Sequence, residues 1–270
     1  MNKDAGPYLT FLQPVTEELI RSVELKPGQV VLDVGTGSGD PALDAARAVT
    51  PGGRAVGIDV SSERLLQAQE RAQRHNLDNV VFQEMDALEL HFPDGSFDAV
   101  LSRLVISYFP DPSRFLGEIL RVLKPGGRAA IAVWSQGENL NPLMNIPMRI
   151  LRRWALEGQE PADSSPPSQR VPLGVSGVLA EAMRLRGFQD IATGVVPLRL
   201  AFQESQAGAY WTERRAGSPA SIGLLARLPE AKQRMAEKEV VDAVRQLIAS
   251  GRATGEIIWA AGSKGQEAPL

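Results

Sequence analysis

The 270-residue chain contains no cysteine. That excludes disulfides, thiolate metal sites and a cysteine nucleophile. Histidine is nearly as scarce, at two residues, so no metal site built from protein side chains is expected. No charge of one sign predominates: 29 Lys and Arg stand against 32 Asp and Glu, a net charge of −3. Without a basic footprint, nucleic acid is not expected as a partner. No apolar run approaches the roughly 18 residues of a membrane span, so no integral membrane association is expected either. Met1-Asn2-Lys3-Asp4-Ala5-Gly6-Pro7 lacks an apolar signal core, which makes the cytoplasm the expected compartment.

What remains is an ordinary globular composition, 43% hydrophobic and 23% charged, of a length that suits one large domain with insertions. The chain is organised around Val30-Val31-Leu32-Asp33-Val34-Gly35-Thr36-Gly37-Ser38-Gly39-Asp40-Pro41. Its β-branched opening reads as a parallel strand buried on both faces. A glycine-rich turn follows, and Asp40-Pro41 opens a helical pattern with Leu43, Ala46 and Val49 on one face. Strand, glycine turn and helix N-terminus form the nucleotide-binding opening of a doubly wound sheet. A second strand, Arg54–Ile58, ends at Asp59, the position from which a carboxylate reaches ribose hydroxyls.

The glycine spacing is G-x-G-x-G (Gly35, Gly37, Gly39), and the third slot of the dinucleotide pattern holds Asp40. A carboxylate capping that helix would repel a pyrophosphate and suit an ammonium or a sulfonium. Asp33 adds a second negative group on the same side. The pair favours S-adenosylmethionine (SAM) over NAD.

At this point the chain resembles the class I SAM-dependent methyltransferases. Val31 to Gly39 looks like their first motif. Asp59, with Val60 beside it, falls where their second motif has its ribose acid, and Asp86-Ala87 falls where they face the adenine. Phe92-Pro93-Asp94-Gly95-Ser96-Phe97-Asp98 and Leu120-Arg121-Val122-Leu123-Lys124-Pro125-Gly126-Gly127 match two further family blocks in order. The likeness covers residues 27–134 closely and is strongest to the ubiquinone/menaquinone C-methyltransferase branch. It implies an α/β doubly wound, Rossmann-like, seven-stranded and mostly parallel sheet, its last strand antiparallel, with helical cap insertions. The expected cofactor is SAM. The expected cofactor residues are Asp33, Gly35, Thr36, Gly37 and Gly39, Asp40, Asp59, Val60, Asp86, Ala87, Ser102 and Arg103. The last two leave the carboxyl end of the fourth strand, with Tyr108 beyond them. No general base is evident, so no catalytic residue is assigned.

Along the chain, Tyr8, Phe11, Leu12, Val15, Leu19 and Val23 fall at helical spacing, with Pro14 expected to break or kink the segment. Ser61 or Ser62 is expected to cap a helix running to about His75. His91 lies in a turn and is expected at the surface. The whole chain, 1–270, reads as a single methyltransferase domain with cap segments at about 1–25, 135–173 and 203–250. The middle segment carries an apolar helical piece (Leu143, Met144, Ile146, Ile150, Leu151, Trp154), then a loop at 162–169. The tail from Ser263 to Leu270 is expected to fray.

Leu101-Ser102-Arg103-Leu104 differs from the N/D-P-P-Y signature of methyltransferases acting on planar amino groups. The absence of cysteine argues against the cytosine-C5 and arsenite branches. The expected partner is a small or medium apolar metabolite, methylated on carbon or oxygen; oligomeric state is unassigned. Two other readings remain: a SAM-binding protein without methyl transfer, and an NAD-dependent oxidoreductase, against which Asp40 argues.

Overall fold

A computed structural model describes residues 6–137, 140–156, 171–200 and 203–266. Contacts divide the chain into two compact units, one of residues 14–135, 170–196 and 257–270, the other of 1–13, 136–169 and 197–256. The expected loop at 162–169 and the end of the tail lie outside the described residues.

The first unit is built on a sheet. Helix α1 (Pro7–Ser22) enters it at Pro14 and is continuous through that proline. The expected break is absent; Phe11, Leu12, Val15 and Leu19 are all at most 3% exposed, and burial of that face offsets the hydrogen bond a proline cannot donate. Strand β1 (Val30–Val34) leads to helix α2 (Ala42–Ala48), strand β2 (Arg54–Asp59) and helix α3 (Ser62–Arg74). Strand β3 (Val80–Glu84), strand β4 (Phe97–Arg103), helix α4 (Ser113–Val122) and strand β5 (Leu123–Trp134) follow. The register between β4 and β5 shifts between Phe97↔Leu123 and Ala99↔Arg128, so Lys124-Pro125-Gly126-Gly127 sits within an irregular strand start.

The strand order is β3-β2-β1-β4-β5-β7-β6, once helix α5 (Pro142–Leu156), helix α6 (Val178–Arg186), strand β6 (Gln189–Arg199) and the closing strand β7 (Thr254–Ser263) are counted. β1 pairs in parallel with β2 on one side (Val31↔Ala55) and with β4 on the other (Val31↔Ala99). The chain thus walks outward from β1 to β3, then returns to β4 on the opposite flank. That reversal opens a crevice at the carboxyl ends of β1 and β4, where ligands of such sheets bind. β7 runs antiparallel to β5, from Arg128↔Ser263 to Trp134↔Ile257. The doubly wound, mostly parallel sheet with an antiparallel last strand is the architecture the motifs imply.

Leu32, Val34, Val56, Ile58, Val100 and Ile131 form the sheet side of the core, and Phe115, Leu116, Ile119 and Val122 of α4 are buried in the same cluster. Each such side chain contributes about 1.5–3 kcal/mol. Ser61 caps α3, its Oγ accepting from Arg64 N at 3.4 Å.

The second unit is mainly helical, with α5, helix α7 (Ala207–Ala216), helix α8 (Pro219–Leu225) and helix α9 (Glu230–Ala249). Ala236, Val240, Val244 and Leu247 make the buried stripe of α9, which packs with α5. Trp154 Nε1 donates to Glu239 Oε2 at 2.9 Å, joining the two helices. Among the described residues, no helix is long and apolar enough to cross a membrane.

Candidate cofactor site

The glycine turn after β1 lies at the crevice. Gly35 N and Thr36 N both donate to Ile58 O at 2.8 Å, folding the turn back onto β2. Gly35 has φ +75°, and a Cβ there would meet Val105 Cγ2 at 2.1 Å, so only glycine fits. Asp59, 8% exposed, closes the turn from the end of β2. Its Oδ2 accepts from Gly37 N at 2.8 Å and its Oδ1 from Ser61 N at 3.0 Å.

Asp33 is fully buried near the end of β1. Its Oδ2 accepts from Ala42 N, the first residue of α2, at 2.9 Å. Neither Asp33 Oδ1 nor the buried Thr36 hydroxyl makes a well-formed hydrogen bond, although the hydroxyl stands close enough to the carboxyl to favour its charged form. Burial pushes the Asp33 carboxyl up to about 7, against the opposing pull of the Thr36 hydroxyl, the Arg103 guanidinium and the Ala42 N–H.

Asp40 departs from expectation. Its side chain does not cap α2: Pro41 holds the cap position without a side-chain bond, and Asp33 supplies the carboxylate instead. The Asp40 carboxylate is held by Arg71, Nη1 at 2.5 Å and Nη2 at 3.3 Å, both side chains at most 5% exposed. Arg71 Nη1 also donates to Ser38 O at 2.6 Å. The physical reason is charge pairing: a buried carboxylate so neutralised exerts little pull on a sulfonium and little repulsion on a pyrophosphate.

Ser102 also departs from expectation. It has no exposed surface, and its Oγ donates to Val34 O at 3.0 Å, so the hydroxyl ties β4 to β1 and does not face a transfer region. Arg103 extends from the strand end, with Nη1 donating to Thr16 Oγ1 at 2.6 Å and Nη2 to Asp40 O at 3.4 Å. Asp86 is exposed, its Oδ1 accepting from Leu88 N at 2.8 Å in a local turn; Ala87 behind it is buried. Val60 is 69% exposed. Tyr108 lies in a short 3-10 turn after β4, half-exposed. His91 is exposed, 3.8 Å from Glu89 Oε1.

Two arginines were missed from the sequence. Arg71 falls on the buried face of α3 with Leu65, Ala68 and Ala72, and a charge on an apolar stripe is the signal of a buried partner. Arg64, in the first turn of α3, lies against Gly37: a Cβ at Gly37 would meet Arg64 Nη2 at 2.0 Å. Its Nη1 stands 3.7 Å from Asp59 Oδ2.

The carboxyl-end crevice, the glycine turn and the carboxylate at the end of β2 define a nucleotide-binding doubly wound domain. A family model described as a methyltransferase domain matches residues 25–159. The chain belongs to that family, the SAM-dependent methyltransferases of class I, and SAM is its cofactor. It is 29% identical over 228 residues to nocamycin O-methyltransferase of Saccharothrix syringae, across 77% of this chain and 78% of that protein. It is 33% identical over 171 residues to 2-phytyl-1,4-naphtoquinone methyltransferase of Nostoc sp., across 58% of this chain and 72% of that one. Several other relatives match over less than half of their own length. Among solved structures, the cyclase SpnF shares the fold at a TM-score of 0.59 and 24% identity, over 94% of this chain and 80% of that one.

Proposed function

We propose that the chain transfers the methyl group of SAM to carbon or oxygen of a small or medium apolar metabolite. The observation that carries this reading is the glycine turn clamped to the Asp59 carboxylate, with the orphaned Asp33 oxygen and Thr36 hydroxyl beside it. Those residues fit the cofactor's chemistry. Asp59 offers acceptors for ribose hydroxyls, Gly35–Gly39 allow close backbone approach, and Asp33 supplies a buried negative charge for the ammonium or sulfonium. Asp86 and Ala87, at the end of β3, are assigned to the adenine. Ser102 and Asp40 are not assigned to the cofactor, because their polar groups are committed elsewhere.

SAM supplies an electrophilic methyl whose departing sulfur becomes neutral, so the protein's task is orientation in a dry site. Arg103, fixed by Thr16 and the Asp40 carbonyl, is the positioning residue at the end of β4. No side chain is assigned as general base. The acceptor class rests on the naphtoquinone and nocamycin enzymes among the relatives, together with the −3 net charge, which offers no attraction to polyanions.

The experiment is turnover: S-adenosylhomocysteine release from SAM with a panel of phenols, quinols and enols. Acceptor-dependent release supports methyl transfer. SAM binding without release across the panel favours the reading as a SAM-binding protein that transfers no methyl group. The cyclase SpnF shares the fold, and fold does not determine activity, which keeps that arm of the test necessary.

A further inference from the structure

The helical unit, taken by itself, buries a cation without an anion. Arg214 on α7 is 2% exposed. Its Nε donates to Met144 Sδ at 3.2 Å and its Nη1 to Ser221 Oγ at 3.3 Å. Its Cζ lies 5.7 Å from the centroid of the Trp211 ring. Among the described residues it has no carboxylate partner. The contrast with other arginines of the chain is sharp: Arg215, next in sequence, pairs with Glu237 at 2.7 Å, and the similarly buried Arg71 of the sheet unit pairs with Asp40.

A guanidinium does not shed its proton to escape burial. It carries five N–H donors, and here they meet one thioether, one neutral hydroxyl and one aromatic face. A thioether is a weak acceptor, and a neutral hydroxyl brings no charge. Breaking a buried pair is costly because the remaining charge is uncompensated, and Arg214 stands in that state already. Beside it, Trp211 Nε1 is buried with no acceptor. Ser221, without exposed surface, has one hydroxyl proton for two candidate acceptors, Ser218 Oγ at 2.9 Å and Met148 Sδ at 3.4 Å. Met144 and Met148 each have three rotatable bonds, so their contacts with the guanidinium and the hydroxyl yield readily to a stronger acceptor.

We propose that the helical unit contains an anion-binding site centred on Arg214 that takes the carboxylate of a small molecule with an apolar or aromatic body. Arg214 supplies the charge, Ser221 and Trp211 supply neutral donors, and Met144, Met148 and the Trp211 ring supply the apolar surround. One buried positive charge balances one carboxylate; a phosphate dianion would stay half-neutralised. The inference does not rest on methyl transfer and is tested without cofactor.

The test titrates the full chain calorimetrically with 2-naphthoate, with neutral 2-naphthamide and with inorganic phosphate, for the wild type, Arg214→Met and Arg214→Lys. The wild type should bind naphthoate at least about tenfold more tightly than naphthamide, the range for hydrogen bonds to a charged group. Arg214→Met should lose at least about tenfold in naphthoate affinity and melt, without ligand, at or above the wild-type temperature. Arg214→Lys should keep part of the affinity. Equal binding of naphthoate and naphthamide by the wild type overturns the proposal, as does tighter binding of phosphate. So does wild-type naphthoate affinity in Arg214→Met. A lowered melting temperature of ligand-free Arg214→Met would also overturn it, by making Arg214 a structural strut.

Discussion

Asp33→Asn isolates the electrostatics of the candidate site. The side chains are nearly isosteric, and the asparagine carbonyl can still accept from Ala42 N, as Asp33 Oδ2 does at 2.9 Å. What changes is a carboxyl whose pKa in the folded chain is about 7 against an ordinary 3.8, raised chiefly by burial. An acid raised in the folded state stabilises that state below its unfolded pKa, and the contribution is lost as pH climbs through the folded value. The wild type should therefore lose stability relative to the variant from about pH 4 upward, and the loss should level off above about pH 7. At about 1.4 kcal/mol per unit, the full difference is at most about 4 kcal/mol, reduced by relaxation around the charge. Urea unfolding followed by circular dichroism at several pH values between 5 and 8 reads it directly. A wild-type-minus-variant difference that stays constant across that range would refute the reasoning. The same charge predicts the cofactor response: a cation bound against Asp33 lowers its pKa, so SAM binding near pH 6 should release a proton. That release appears as a dependence of the calorimetric heat on buffer ionisation enthalpy, and Asp33→Asn should abolish it.

Asp59→Ala should weaken SAM binding about ten- to a hundredfold, equivalent to roughly 1.5–3 kcal/mol of charge-assisted hydrogen bonding. S-adenosylhomocysteine should lose as much, since the ribose is common to both; unchanged affinity would show that Asp59 does not hold the ribose. Arg71→Met strands the buried Asp40 carboxylate and should cost about 3–5 kcal/mol in urea unfolding. Introducing Asp40→Asn alongside it should recover much of the loss, and a double variant as unstable as the single one would show that the charge of Asp40 is not the cause.

The sheet unit was legible because its signals are local. Val30–Val34, the glycine turn and Asp59 announce themselves within a thirty-residue βαβ stretch. The misreadings came from tertiary partners. Asp40 before Pro41 has the local look of a helix cap, but Arg71, 31 residues away, claims its carboxylate and leaves the capping to Asp33. Ser102 was read as facing the site because strand ends point there, yet alternation turns its hydroxyl into the sheet, onto Val34 O. Pro14 reads as a break or kink by propensity, and the buried face of α1 keeps the helix continuous through it. Short α8 at Pro219–Leu225 carries too few residues for a periodic signal and went unread. Arg214, a charge in a polar-looking segment, gave no sign of its burial.

The most direct measurement is calorimetric titration of the purified chain with SAM, S-adenosylhomocysteine and NAD in parallel. A cofactor site of the kind described binds the first two in the micromolar range and leaves NAD unbound. Binding of NAD alone would contradict the assignment of Asp33 to a cationic ligand, and the methyl-transfer reading would fall with it.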